Sequence, residues 1–463
     1  MLGTRYRLDS SWRRPGDGQL LIAGSPLRLF RLSTGGAQVV AMVEVGEFPD
    51  TAAVHQLLDR FVDAGALHPV HPQGPFTAAD VTVVIPAHGR LPAQLPQGVR
   101  VIVVDDASPV PLVLPLQHAT TSRDHVMPPL RTTLLRHDTN RGPGAARNTG
   151  LAEVATPLVA FVDCDVVLPD GWLAPLLAHF ADDRVALVAP RVEGAPGASW
   201  LARYEQRHSP LDLGGEPARV VAGTRVSYVP AAALLCRTAA LREVGGFDSE
   251  LRLGEDVDLV WRLAAAGHRC RYEPAAVVQH QPRGSFSALL RQRFGYGRSA
   301  APLAARHPGA LAPVRMSGWS ALSWLLLATR HPLLAIGVAG GTTIALQRKL
   351  TDVPAAESLR LAGLGHLAAG RQLAKATVRA WWPAALLAVA LCRRARLPVA
   401  ASFVVPALLD AARARSVQPL LDAPLLACDE MAYGAGVWAG VLAERQVGPL
   451  LPELTNWPPR NGG

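Results

Sequence analysis

Three acidic motifs and one histidine stand where a sequence could do chemistry. Asp163-Cys164-Asp165 closes the apolar run Leu158–Val162. Two carboxylates on alternate residues at a strand end can hold a divalent cation together with a diphosphate. Their hard oxygens suit Mg²⁺ or Mn²⁺, which would neutralise charge on a departing group. Cys164, between them, points the other way and packs. Asp105-Asp106 ends a second β-branched run, Val101–Val104. There a carboxylate can accept hydrogen bonds from a nucleobase or ribose, or it can cap the next element. Gly254-Glu255-Asp256-Val257-Asp258 opens a helix, predicted from the apolar spacing of Val257, Val260, Trp261 and Leu263. Acidic residues are favourable at any helix N-terminus; alternatively, one of them is a general base that takes a proton from an attacking hydroxyl. His280 follows the strand-like Ala275–Gln279 and is either structural or a further metal ligand beside Asp163 and Asp165.

Two further segments carry cations. Asn140 to Gly150 is glycine-rich, with Gly144 allowing close backbone approach and Arg147 able to neutralise phosphate. It lacks the Gly-Lys-Ser/Thr ending of a P-loop, and a tight turn into a helix also explains its glycines. Arg291 to Arg298 interleaves cations with aromatics, including Gln292, Arg293 and Tyr296. Such a segment can clamp a pyrophosphate and stack on a sugar, or form a solvated helix face.

The elements that must position these residues fall into three parts. Residues 1–78 carry two short β-like runs, Gln19–Ala23 and Leu27–Leu32, around a Gly-Ser-Pro turn. A helix is predicted after Ser33, and a second after an Asp50 cap, with Val54, Leu57, Leu58, Phe61 and Val62 on one face. This small winged-helix-like module is a packing extension or a docking module for a partner; it lacks a dense basic face for DNA. Residues 79–300 alternate strands (Val81–Ile85, Val101–Val104, Leu158–Val162) with helix-like segments, so an α/β doubly wound fold is expected, with ligands at the strand ends. Residues 301–463 are rich in Leu, Ala and Pro and read as helical. Their apolar runs, Met316–Thr329, Pro332–Gln347, Ala380–Cys392 and Leu397–Leu409, are each shorter than the roughly 20 residues that span a bilayer. Soluble core helices explain them, and so do paired short helices at a membrane surface, with Arg393, Arg394 and Arg396 at anionic head groups.

Composition narrows the classes. The 463 residues are 49% hydrophobic and 18% charged, too apolar for a disordered chain. Five scattered cysteines without C-x-x-C spacing exclude a disulfide scaffold and a structural zinc site. The net charge of +9 invites a nucleic-acid reading, yet only Lys349 and Lys375 are lysine and the other 44 basic residues are arginine. That imbalance is the mark of a GC-rich genome, so nucleic acid is not an expected partner. The charge-mixed first 14 residues have no apolar core of signal-peptide length, and the chain is expected to start in the cytoplasm.

In order, V-I-P-A (84–87), D-D-A-S, G-x-A-R-N-x-G, D-x-D, G-G-F-D, E-D and a glutamine- and arginine-rich aromatic segment resemble the family 2 glycosyltransferases of GT-A fold, over about 220 residues. The resemblance implies a Rossmann-like nucleotide-diphospho-sugar transferase core. It places Asp105 and Asp106 at uridine, and Pro86, Gly144, Arg147, Asp163, Gln292, Arg293 and Tyr296 around the nucleotide sugar. Asp163 and Asp165 become the metal and diphosphate pair, and Asp256, with Glu255 beside it, the catalytic base of an inverting transfer. Processive members end in Q-x-x-R-W; residues 292–296 read Q-R-F-G-Y, which argues against long processive synthesis.

The whole-chain plan, a PqqD-like N-terminal module, a family 2 core and a hydrophobic C-terminal region, is also similar to the glycosyltransferases of mycofactocin systems. That likeness implies transfer of glucose from UDP-glucose onto a peptide-derived small-molecule acceptor, the precursor of a redox cofactor, building a short β-linked oligoglucan. Two rivals stand beside it: a polyprenyl-phosphate or cell-envelope glycan transferase, and a binding or scaffold protein with a degenerate core.

Overall fold

The computed structural model describes residues 4–16, 18–114 and 131–455. Two compact units emerge, one of Met1–Arg14 with Gly18–Pro282, the other of Pro15–Asp17 with Arg283–Gly463.

In the first unit, the N-terminal module pairs strands Arg5–Leu8 and Leu67–Val70, and a hairpin joins Leu20–Ala23 to Arg28–Arg31. Helices Thr34–Glu44 and Ala52–Asp63 bury Val40, Val43, Leu58 and Phe61 against Leu21 and Leu67. Ser33 caps the first helix as expected, its hydroxyl accepting from Gly36 N. The second helix is capped by Thr51, not by the expected Asp50. The Thr51 hydroxyl accepts from Val54 N, while Asp50 binds His55 at 2.5 Å.

The rest of this unit is built on a nine-stranded sheet. Strand Val81–Ala87 lies centrally with Arg100–Asp105 and then Arg131–Arg136 parallel on one side, and Leu158–Val162 parallel on the other. Beyond it, Ala233–Arg237 runs antiparallel, followed by Val185–Gly194 and the parallel Arg269–His280. Short strands Ala218–Arg219 and Val166–Val167 both pair antiparallel with Arg269–His280. The central strands are nearly continuous Val, Ile, Leu and Phe because both faces are covered. This is the expected α/β, GT-A architecture, with two corrections. No helix joins the first two strands, since residues 88–99 run as bends and coil, and the unexpected edge strand Arg131–Arg136 makes Leu158–Val162 the fourth strand in chain order. Helix Pro143–Ala152 packs close on the sheet: a Cβ at Gly150 would lie 2.3 Å from Val84 Cγ1.

The second unit is helical: Phe286–Arg298, Ala300–Arg306, Gly318–Ala328, Pro332–Lys349, Ala355–Arg379, Trp382–Leu391, Arg396–Ala414 and Gln418–Glu444, with a two-stranded pair Arg315–Ser317 and Glu453–Thr455. Helix Phe286–Arg298 meets Gln418–Glu444 at glycines; a Cβ on Gly436 would fall 2.0 Å from Phe294 O. Among the described residues one segment, Arg393–Ala414, is long and apolar enough to cross a membrane by length and composition, with none of its apolar window buried. It exceeds the expected run because a turn at Arg393–Ala395 leads directly into the helix. Trp382–Leu391 likewise buries no residue, and Leu387, Leu391, Leu397 and Val404 are exposed.

Candidate active site

Asp163 and Asp165 sit on a tight turn between strands Leu158–Val162 and Val166–Val167, closed by Val166 N donating to Asp163 O at 3.1 Å. Because the residues lie in a turn, the two carboxylates part company. Val166–Val167 pairs with Gln279 and His280, and that register sets His280 Nε2 3.4 Å from Asp165 Oδ2. Arg90, from the loop after the first strand, reaches the same oxygen at 3.7 Å. Asp163 turns instead to Arg147, whose Nη2 donates to Oδ1 at 2.7 Å. The three-ligand set Asp163, Asp165 and His280 is thus corrected to the pair Asp165 and His280. Among the described residues no three His, Cys, Asp or Glu side chains gather for a metal. A carboxylate oxygen and an imidazole nitrogen at this spacing suit neighbouring positions on one divalent cation, which binds such atoms at about 2.0–2.2 Å. The donor set therefore fits a cation that takes its remaining ligands from outside the protein. Cys164 packs against the core as expected, and burial, with Asp165 nearby, raises its thiol pKa.

Arg147 is the hub. It projects from helix Pro143–Ala152, is 3% exposed, and forks between Asp163 and Glu255, the latter at 2.6 Å. Its guanidinium lies 5.3 Å from the Phe247 ring centre. Two carboxylates, the buried Glu255 and the partly exposed Asp163, hold it, so the guanidinium expected to neutralise phosphate is engaged by the protein's own acids. Asn148, next in the chain, fixes the Gly-Gly-Phe-Asp loop through paired bonds: its Oδ1 accepts from Phe247 N, and its Nδ2 donates to Phe247 O. Gly144 closes against the same loop, where a Cβ would lie 3.3 Å from Asp248 O.

Glu255 and Asp256 open helix Glu255–Ala265, which can start so sharply because Gly254 adopts φ 84°, a left-handed conformation that costs other residues about 1–2 kcal/mol. Asp256 Oδ2 accepts from Ala231 N at 3.0 Å, and Oδ1 from Val257 N at 2.8 Å. Burial, together with the charge of Asp256, raises the Glu255 pKa despite Arg147. Burial raises Asp256 too, against its backbone hydrogen bonds. Two adjacent carboxyls with a raised hold on protons, one half-buried, form an arrangement suited to general-base work. Asp258 of the same motif is structural and binds Arg262 at 2.7 Å.

The strand-end aspartates are committed to the protein's own donors. Asp105 is 1% exposed and accepts from Ser108 N, Leu112 N and Arg136. Although burial opposes it, these bonds bring its carboxyl to about 2. Asp106 accepts from Arg141 N at 2.9 Å and Gly142 N at 2.8 Å and meets His137 Nδ1 at 2.7 Å, tying the glycine-rich loop to the strand end. Pro86 lies half-buried one residue before the end of its strand. The Arg291–Arg298 segment belongs to the second unit. There Gln292 Nε2 donates to Tyr296 Oη at 2.7 Å. Arg293, expected as a diphosphate clamp, is buried and ion-paired with Asp429 at 2.5 Å. Sequence reasoning passed over Arg90, His137, Asn148 and the Ala231 amide. Of these, only Asn148 had a signal, inside the quoted G-x-A-R-N-x-G motif.

Comparison with known proteins identifies the family. Residues 83–245 match the family described as Glycosyl transferase family 2. The chain is 42% identical to the pre-mycofactocin glycosyltransferase of Mycobacterium tuberculosis, covering 98% of each protein. It is 30% identical to the succinoglycan biosynthesis protein ExoO of Rhizobium meliloti, over 42% of this chain and 55% of that one. Among solved structures, the mannosyltransferase PcManGT of Pyrobaculum calidifontis, in complex with GDP-Man and Mn²⁺, aligns with TM-score 0.35 and 18% identity over 64% of this chain and 82% of that one. An alignment at 42% identity over nearly the whole of both chains, together with the matched core, settles the family: the chain belongs to the family 2 glycosyltransferases, in the same family as the mycobacterial pre-mycofactocin enzyme.

Proposed function

We propose that this chain transfers glucose from UDP-glucose, with inversion, onto a peptide-derived mycofactocin precursor, adding a short β-linked run of sugars. The observation that carries the reading is the chain of contacts from the Asp165–His280 pair, through the turn to Asp163, and on by Arg147 to Glu255 and Asp256. It sets a candidate cation site and a candidate base side by side. The 42% identity to the mycobacterial enzyme supports the choice of acceptor.

In this reading Asp165 and His280 would hold Mg²⁺ or Mn²⁺, while Asp163 stays paired with Arg147. When bound, the cation supplies charge neutralisation for the departing nucleoside diphosphate. Asp105 and Asp106 shape the loops at the uridine end, with Pro86 and Gly144 lining the approach. Asp256 receives the proton of the acceptor hydroxyl as that oxygen attacks the sugar C1 from the face opposite the leaving group. Arg147 keeps Glu255 and Asp163 in place while this happens. The N-terminal module is proposed to dock the acceptor.

A membrane-associated location on the cytoplasmic side belongs to the same reading. It is supported by helix Trp382–Leu391, none of whose residues is fully buried, and by Arg393, Arg394 and Arg396 at the following turn, a basic corner beside apolar faces that suits anionic lipid. Flotation with vesicles containing anionic lipid, against neutral vesicles, tests it: binding to neither contradicts it.

The test of function is a direct assay. Purified protein, UDP-glucose and Mn²⁺ are offered the small-molecule extract of a strain lacking this gene, or polyprenyl phosphate, and products are read by mass spectrometry. Hexose increments on a peptide-derived species are expected. Transfer to polyprenyl phosphate alone overturns the acceptor, and transfer from another sugar nucleotide alone overturns the donor.

A further inference from the structure

A cavity of about 270 Å³ opens between the C-terminal end of helix Ala52–Asp63 and the sheet edge formed by Ala218–Arg219 and Arg269–His280. It shares no residue with the active site. Arg184, Arg219, Arg269 and Arg271 all line it, against the single carboxylate of Asp63.

Two of these arginines are neutralised. Arg269 binds Asp182, Asp63 and Asp59 at 2.5–3.0 Å, and Arg184 binds Asp59 at 2.8 Å. The other two are not. Arg219 and Arg271 are direct cross-strand partners in an antiparallel pair, so their side chains leave the sheet on the same face. Like charges directly opposite one another on a sheet repel. Arg271 is 2% exposed, and its one side-chain hydrogen bond among the described residues, Nη2 to His68 Nδ1 at 3.0 Å, is to a neutral acceptor, since the far nitrogen of that ring is engaged with Asp9. Its Nε is buried with no partner among the described residues. No hydrogen bond or ion pair holds the Arg219 guanidinium among the described residues. Burial pulls both guanidinium groups below the ordinary arginine value, Arg271 to about 10.

A facing pair of cations, Arg271 buried with an unmet N–H donor and Arg219 half-buried beside the cavity, lacks an anion. We propose that this cavity is an oxyanion site, in which the phosphoryl or carboxylate head of a small polyanion seats between Arg219 and Arg271. The planar forks of two guanidinium groups match the oxygens of either head. The bound anion cancels the cross-strand repulsion and, through Arg271 and His68, fastens the N-terminal module to the sheet edge.

Binding is measured on the full chain, metal-free and without sugar nucleotide, by calorimetric titration and thermal unfolding. Inorganic phosphate and citrate are the probes, each against sodium chloride at equal ionic strength. Wild-type protein is expected to bind at least one of them saturably, with a rise in Tm; which one responds separates the phosphoryl from the carboxylate source. Arg219→Gln, which leaves the Arg271–His68–Asp9 chain intact, is expected to weaken that binding at least tenfold. Absence of any response beyond chloride overturns the proposal, as does a response of the same size in Arg219→Gln, which would place the anion elsewhere.

Discussion

Arg147 and Glu255 stand 108 positions apart in the chain and 2.6 Å apart in space, joined by a charge-assisted hydrogen bond, while the same guanidinium holds Asp163 at 2.7 Å. One side chain thus connects the strand-end turn to the start of the acidic helix. Removing it leaves two carboxylates crowded around a site that already contains Asp256. Arg147→Met should cost about 3–5 kcal/mol in chemical denaturation, the scale for breaking a buried pair. Adding Glu255→Gln should return part of that loss, and an unchanged midpoint in the single variant would show that the hub does not hold the site together.

The raised pKa of Glu255 has a sign that can be checked. A folded-state pKa above the unfolded value, about 4.3 for Glu, means that the folded protein binds more protons through that window. Stability is then fully present below the unfolded pKa and falls as pH rises through the folded one. Unfolding measured across the window should show this decline, and Glu255→Gln should flatten it. A wild-type decline that persists unaltered in Glu255→Gln would assign it to another group.

Metal dependence should follow the corrected pair. Asp165→Asn and His280→Ala are expected each to weaken Mn²⁺ binding by roughly 10–100-fold or more, read by the electron paramagnetic resonance signal of the free ion in the presence of UDP. Chelation should stop transfer in wild-type protein, and added Mn²⁺ should restore it. Equal Mn²⁺ affinity in wild type and both variants would remove the pair from the cation site.

Gly150 has a purely steric part. Alanine there would place a Cβ 2.3 Å from Val84 Cγ1. Gly150→Ala should destabilise by about 1–3 kcal/mol through overpacking, and Val84→Ala in the same chain should relieve part of it. Additive losses in the double variant would contradict the contact.

Much of this site was legible in the residues alone. The strand ends at Asp105 and Asp163 and the helix start at Glu255 lie where the apolar runs and their breaks put them, because local pattern encodes local structure. What was not legible is long-range. Nothing near Arg147 reveals that two carboxylates close around it, or that Arg293 turns to Asp429. The D-x-D motif suggested one ligand pair, but a turn lacks the alternation of a strand, so its aspartates diverge to different partners. Strand Arg131–Arg136 was missed for its polar ends and edge position, where only one neighbour and modest burial constrain sequence.

The central claim is that Asp256 is the base of a glycosyl transfer, and Asp256→Asn tests it most directly. The amide keeps the size of the carboxylate and can still accept from Ala231 N. Donor affinity, by titration with UDP-glucose and Mn²⁺, should stay within a few-fold of wild type, while turnover to the acceptor should fall by roughly 10²–10⁴. Near-normal turnover in this variant, with donor binding intact, would contradict the account.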